Sequence, residues 1–164
     1  MKKYSYIIFL ILLTGCGFQL RGVRTAHFPF TSIVIHSSDP YDQFSVLLEQ
    51  TLRAYGIRIA GSAPIILLIT AQNFDRSTVG LANVGQTTTY LLTYTVTFEL
   101  LNVKQQPILP TQTLTIQRNF TISANQISGD LNRQTNLENM MQQDAIQQLL
   151  PLLYSPTVKY AIEH

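Results

Sequence analysis

The chain is 164 residues long, enough for one ordinary domain and too short for two well-packed ones. Its 11 basic residues exceed its 9 acidic ones, but two of the excess, Lys2 and Lys3, fall in a candidate targeting segment; without residues 1–15 the remaining 149 carry 9 of each sign. That neutrality removes the basic surface a nucleic-acid reading needs, and abundant, periodic apolar residues argue against disorder.

Charge is sparse in those 149 residues: 18 are charged, about half the share of an ordinary soluble domain. Thr (17), Gln (15) and Asn (8) take their place. Such a surface is polar but weakly charged, which suits a protein held against a partner or inside a polar barrel lumen better than a free monomer.

At the N-terminus, Lys2 and Lys3 precede a short apolar run, Ile7 to Leu13, and then Leu13-Thr14-Gly15-Cys16. The run is too short to span a bilayer as a helix, and the layout is that of a signal peptide. Cys16 after Leu-Thr-Gly resembles the bacterial lipobox, in which the thiol receives a diacylglycerol and the amine freed by cleavage is acylated. The alternative is an ordinary secretory signal with an unrelated Cys. Two or more acyl chains anchor stably where one does not. Gly17, rather than Asp, follows the Cys, which implies the outer membrane, periplasmic side. Cys16 is the sole cysteine, so no disulfide is expected.

Residues 16–30 read as a lipidated tether, 31–154 as one α+β domain and 155–164 as a C-terminal tail. Ile33 to His36 is an apolar strand. Asp39 followed by Pro40 predicts an N-cap and first helical residue. Phe44, Leu47, Leu48, Thr51, Leu52 and Tyr55 keep the spacing of one helical stripe, ended by Gly56. Ile57 to Ala60 is either a short strand or a connection. Ile65 to about Asp75 reads as a strand buried on both sides at one end, punctuated by Gly80 to Gly85.

From Thr89 to Leu101 the alternation is regular, with Tyr90, Leu92, Tyr94, Val96, Phe98 and Leu100 on one face and mostly Thr on the other. After a turn around Gln105-Gln106-Pro107 and Pro110, Thr111 to Thr121 forms another strand with Leu114, Ile116 and Phe120 inward. Leu137, Met140, Met141, Ala145, Leu149 and Leu152 keep helical spacing, and Pro151 is expected to end or kink that helix. The order predicts an α+β two-layer sandwich, two helices packed on a mixed sheet of about four strands.

Catalytic and metal motifs are missing from the sequence: there is no phosphate loop, no His-Glu-x-x-His and no second Cys. His27, His36 and His164 are scattered, and Ser37, His36 and Asp39 are too close in sequence to reach triad geometry. The reading is therefore non-enzymatic, with no cofactor and no nucleic acid. Arg118 falls on the apolar face of its strand, either snorkelling at the edge or contacting an anion. Arg76, just before the hairpin tip, is either a solvated strand end or a contact. Tyr90 and Tyr94 belong to the core. The Thr-rich face, Thr87, Thr89, Thr93, Thr95 and Thr97 with Thr113 and Thr115, reflects either β-propensity at exposed positions or a partner-facing surface free of ionic desolvation cost.

Leu13-Thr14-Gly15-Cys16-Gly17-Phe18-Gln19-Leu20-Arg21-Gly22, the strand before Ser38-Asp39-Pro40, the tip Gly85-Gln86 leading through Tyr90, and Arg118-x-Phe120 before the last helix together resemble the LPS-assembly lipoprotein (LptE) family. The resemblance covers essentially the whole mature chain. It implies a lipoprotein that plugs the outer-membrane LPS-translocating β-barrel as a heterodimer, assists the barrel's assembly and helps insert lipopolysaccharide. Lipopolysaccharide is its implied ligand, with Arg76, Gly85, Gln86 and Arg118 the candidate contacts. Some members carry a basic residue just before the Gly-Gln tip, where this chain has Asn83 and Val84. Another outer-membrane accessory lipoprotein, such as a secretin pilot or a barrel-assembly subunit, is the alternative.

Overall fold

The computed structural model describes residues 27–81, 87–123 and 127–163. Its elements in chain order are β1 (Ser32–Ser37), α1 (Gln43–Ala54), β2 (Arg58–Ile59), β3 (Ile65–Leu81), β4 (Thr87–Asn102), β5 (Pro107–Ser123), α2 (Ile127–Leu153) and α3 (Pro156–Glu163). The strands form one mixed sheet in the order β2-β1-β3-β4-β5. β1 runs parallel to β2 and β3, whereas β3, β4 and β5 are successively antiparallel. The α+β sandwich is as expected, with two additions: β2 makes a fifth strand, and the segment 155–164 carries a third helix whose Val158 is fully buried.

Helix α1 forms because its apolar stripe matches the helical period. Phe44, Leu48 and Leu52 are fully buried. Its N-cap is Asp42, three residues after the expected Asp39: Asp42 Oδ1 accepts from the Ser45 N–H at 3.0 Å. Asp39 instead accepts from the Tyr41 N–H at 3.0 Å, closing a local turn that delays the helix. Gly56, at φ +81°, lets the chain leave α1 in the left-handed region.

β3, β4 and β5 are 17, 16 and 17 residues long, spanning about 55 Å and well above the usual five or six residues. A bulge between Ile69 and Ala71 inverts the parity of β3. Ile65, Leu67 and Ile69 point into the core before it, and the residues level with inward β4 side chains after it are Gln72, Phe74 and Arg76. β4 keeps its predicted alternation, with Leu92, Tyr94, Val96, Phe98 and Leu100 all buried.

The described helices pack on that face. In α2 the buried stripe is Met141, Ala145, Ile146, Leu149, Leu150 and Leu153, while the expected Met140 points outward at 54% exposure. The helix runs past Pro151 to Leu153. Phe28 stacks edge-on against Phe30, Tyr55 and Tyr154, fixing where the chain enters the domain.

Candidate functional site

Three polar features stand out, and the sheet register places all of them. The first is a cross-strand row. Arg76 of β3 is level with Leu92 of β4, which is level with Arg118 of β5, so both predicted arginines share the helix-facing side with buried Leu92 between them. Arg76 lies 4.8 Å over the Tyr90 ring and donates to Gln134 Oε1 of α2 at 3.2 Å. Gln134 in turn donates to Glu138 at 2.9 Å. Arg118 donates to the Gln117 carbonyl at 3.1 Å and forms an ion pair with Asp144 of α2, both side chains being about half exposed. The two arginines thus pin α2 across the distal half of the sheet.

Beside Arg118, between β5 and α2, lies an open groove of about 380 Å³ lined by Thr115, Gln117, Arg118, Asp144, Gln147 and Gln148 and floored by Ile116. On the other side of α2, Asp144 and Gln147 also line a gap of about 290 Å³ against Leu47 and Thr51 of α1.

The second feature is a polar chain under α1. Tyr94 donates through its hydroxyl to Gln72 Oε1 at 2.9 Å, and Gln72 Nε2 donates to Asp42 Oδ2 at 3.0 Å, which also accepts from Ser45 Oγ at 2.6 Å. Burial alone raises the Asp42 carboxyl; the hydrogen bonds from Ser45 and Gln72 outweigh it and hold the group below its usual value. Burial, and then the Asp42 charge, push the Tyr94 phenol well above its usual value. This chain is structural: it docks the start of α1 on β3 and β4.

The third is the sheet face opposite the described helices. Thr97 and Thr113 pair at 3.2 Å, as do Thr89 and Thr121, and Gln117 reaches Thr93 at 3.5 Å. Cross-strand hydroxyl pairs of this kind each contribute a fraction of a kcal/mol. Ala71, Asn73, Thr95 and Thr115 continue the same surface, whose charged members are Asp75 and Glu99 on β3 and β4 and Arg58 on β2.

Of the residues singled out in the sequence, Arg76 and Arg118 come together on one row, whereas Cys16, Gly85 and Gln86 lie outside the described residues. Arg76 sits within β3 rather than at its end, because the strand runs on to Leu81. Ser37 is a turn residue, its Oγ donating to the Asp39 carbonyl at 3.2 Å. Sequence reading missed Asp144, Gln134 and the two groove glutamines; Asp144 carried one signal, as the lone acid in the Gln-rich second half of α2.

The result is a two-layer α+β domain with a long antiparallel limb and an open sheet face of paired Thr hydroxyls. The family model for lipopolysaccharide assembly (LptE) matches residues 30–151, and the chain belongs to that family. It is 26% identical over 164 residues to the LPS-assembly lipoprotein LptE of Pectobacterium atrosepticum, covering 94% of this chain and 87% of that one. It is 32% identical over 105 residues to the LPS-assembly lipoprotein LptE of Photorhabdus laumondii, covering 62% and 53% of the two chains. The fold is shared with lipoprotein B of Nitrosomonas europaea (TM-score 0.68, 22% identity, 82% and 88% covered). It is also shared with a minor lipoprotein of Acinetobacter baumannii (TM-score 0.65, 18% identity, 76% and 91% covered).

Proposed function

We propose that this lipoprotein is anchored through Cys16 on the periplasmic side of the outer membrane, and that its domain plugs the LPS-translocating β-barrel, assists the barrel's assembly and helps deliver lipopolysaccharide to the outer leaflet. Family membership supports the process, and the open sheet face carries the plug reading. A barrel lumen is polar and narrow, and a surface of paired Thr hydroxyls fills it without stripping water from ions. Among the described residues no helix is long and apolar enough to cross a membrane.

Lipopolysaccharide carries phosphates, and Arg118 is the side chain best placed to meet them. It is half exposed at the mouth of the groove, and guanidinium–phosphate pairs are charge-assisted and often bidentate. Arg76 is committed to Tyr90 and Gln134 and is the secondary contact; Gly85 and Gln86 remain candidates from the tip. The test is binding of purified lipopolysaccharide to the lipoprotein and its Arg118→Ala variant, with thermal unfolding measured alongside. A tenfold or greater loss of affinity with unchanged unfolding supports the contact. Equal loss of both returns Arg118 to its role in holding α2.

A further inference from the structure

The geometry points to a strand-pairing site on the outer edge of β5, with a neutral, extended segment of a partner protein as its occupant. This site rests on the assembly-partner reading above only for the membrane in which it works.

The two edges of the sheet are treated differently. One is the two-residue β2 and then, past the end of β1 at Ser37, β3 itself from Ala71 to Leu81, which carries Asp75, Arg76, Gly80 and a register shift between Thr78 and Gly80. The other is β5, which keeps unbroken register with β4 from Gln112 to Ser123. Proteins ordinarily blunt a long edge with Pro, Lys, a bulge or a covering element. Pro107, Pro110 and the register shifts opposite Leu100 and Leu101 all lie before that stretch. Within it there is no Pro, no Gly and no Lys, and its single charge, Arg118, is drawn onto α2 by Asp144. No strand of the sheet lies beyond β5, so alternate backbone N–H and C=O groups of this stretch face outward, and the Gln117 carbonyl accepts from the Arg118 guanidinium.

Both faces of the edge are prepared for another strand. On the open face Thr113, Thr115, Gln117, Asn119 and Thr121 continue the cross-strand polar ladder to the last strand, and a sixth strand bearing Thr, Ser or Asn extends it. On the helix face, the groove of about 380 Å³ between β5 and α2 lies where the inward side chains of that strand fall, floored by Ile116 and rimmed by Gln147 and Gln148. The carboxamides and hydroxyl of that lining match uncharged polar side chains, and the Arg118–Asp144 pair leaves the groove without net charge.

A second copy of the chain fits less well. Antiparallel pairing of two β5 edges with the helix layers on one face, Thr113 opposite Ser123, sets Arg118 of one copy directly opposite Arg118 of the other and brings the two α2 helices over the same shared edge. Like charges so placed are destabilising, and two helices exclude one another.

The test places a photo-crosslinking residue at Gln117, and separately at Asn119, in the full-length lipoprotein in living cells, with Thr95 of β4, paired on both sides, as the control. The expected result is one discrete adduct from both β5 positions, at least tenfold above Thr95, whose partner peptide is an uncharged β-type segment. Adding Thr113→Lys and Thr115→Lys should reduce the adduct tenfold or more with unfolding temperature unchanged. The crosslink itself is read on an otherwise native edge, so a misfolded Lys variant does not blunt the test. No adduct above control, an adduct of twice the lipoprotein's own mass, or a charged or helical partner peptide overturns the proposal. If a lipopolysaccharide-assembly barrel co-purifies while β5 stays unlinked, the edge proposal fails and the assembly reading stands. If β5 links to a strand of an unrelated protein, the reverse holds.

Discussion

Arg76 and Arg118 flank Leu92 on one row of the sheet, two strands apart, and each reaches up to the same helix, at Gln134 and Asp144. Leu92 supplies the buried contact and the arginines supply the polar clasps on either side. The energies of the two kinds of contact differ sharply, which makes them separable by mutation.

Leu92→Ala removes a fully buried side chain beneath that clasp. A loss of about 2–5 kcal/mol is expected from transfer and cavity terms together. Urea unfolding of purified protein should show a lower midpoint with little change in slope.

The Arg118–Asp144 pair is half exposed, so solvent screens it. A double-mutant cycle with Arg118→Ala and Asp144→Ala should give a coupling of about 1 kcal/mol or less, falling further at high salt. Larger coupling would place the pair among the main supports of the fold.

Asp42 makes stability depend on pH. Its carboxyl is held below its unfolded value, so its contribution is fully present above about pH 4, the unfolded range for Asp, and fades as pH falls through the lower folded value. Asp42→Ala should destabilise by about 1 kcal/mol at pH 7, as loss of an N-cap does. The gap between variant and parent in urea midpoint should hold constant above about pH 4 and narrow as pH falls below it.

Gly56 sits at φ +81°, with nothing within 4 Å of where a Cβ would stand. Gly56→Ala therefore tests backbone strain without steric conflict. Destabilisation of about 1 kcal/mol is expected, read as a drop in unfolding temperature.

Much of this molecule was legible from periodicity. The β4 alternation and the α1 stripe each turn inward the residues their spacing selects, fully burying most of β4's and half-burying Tyr90, Leu47, Thr51 and Tyr55, because one period held throughout. Reading failed where two local signals competed or a period broke. Asp39-Pro40 carries a helix-start signature, yet Asp39 closes a turn with Tyr41 and leaves the cap to Asp42, which alone reaches Ser45. The bulge at Thr70 inverts the parity of β3, so the alignment of Arg76 with Arg118 cannot be counted from the sequence of either strand. Helix α3 is short, follows Pro151 and begins at Pro156, and its inward signal is little more than Val158 and Ile162. Asp144 gained its meaning only from the helix being laid beside β5.

The central claim is that this domain works inside a barrel of the lipopolysaccharide-assembly machinery. The most direct measurement is to express the tagged full-length lipoprotein, extract outer membranes in mild detergent, and resolve what co-purifies before and after heating in SDS. The account predicts a stoichiometric partner of large β-barrel size, released only on heating and retained in part when Cys16→Ala removes the anchor. Recovery of the lipoprotein alone, or with a secretin, would contradict it.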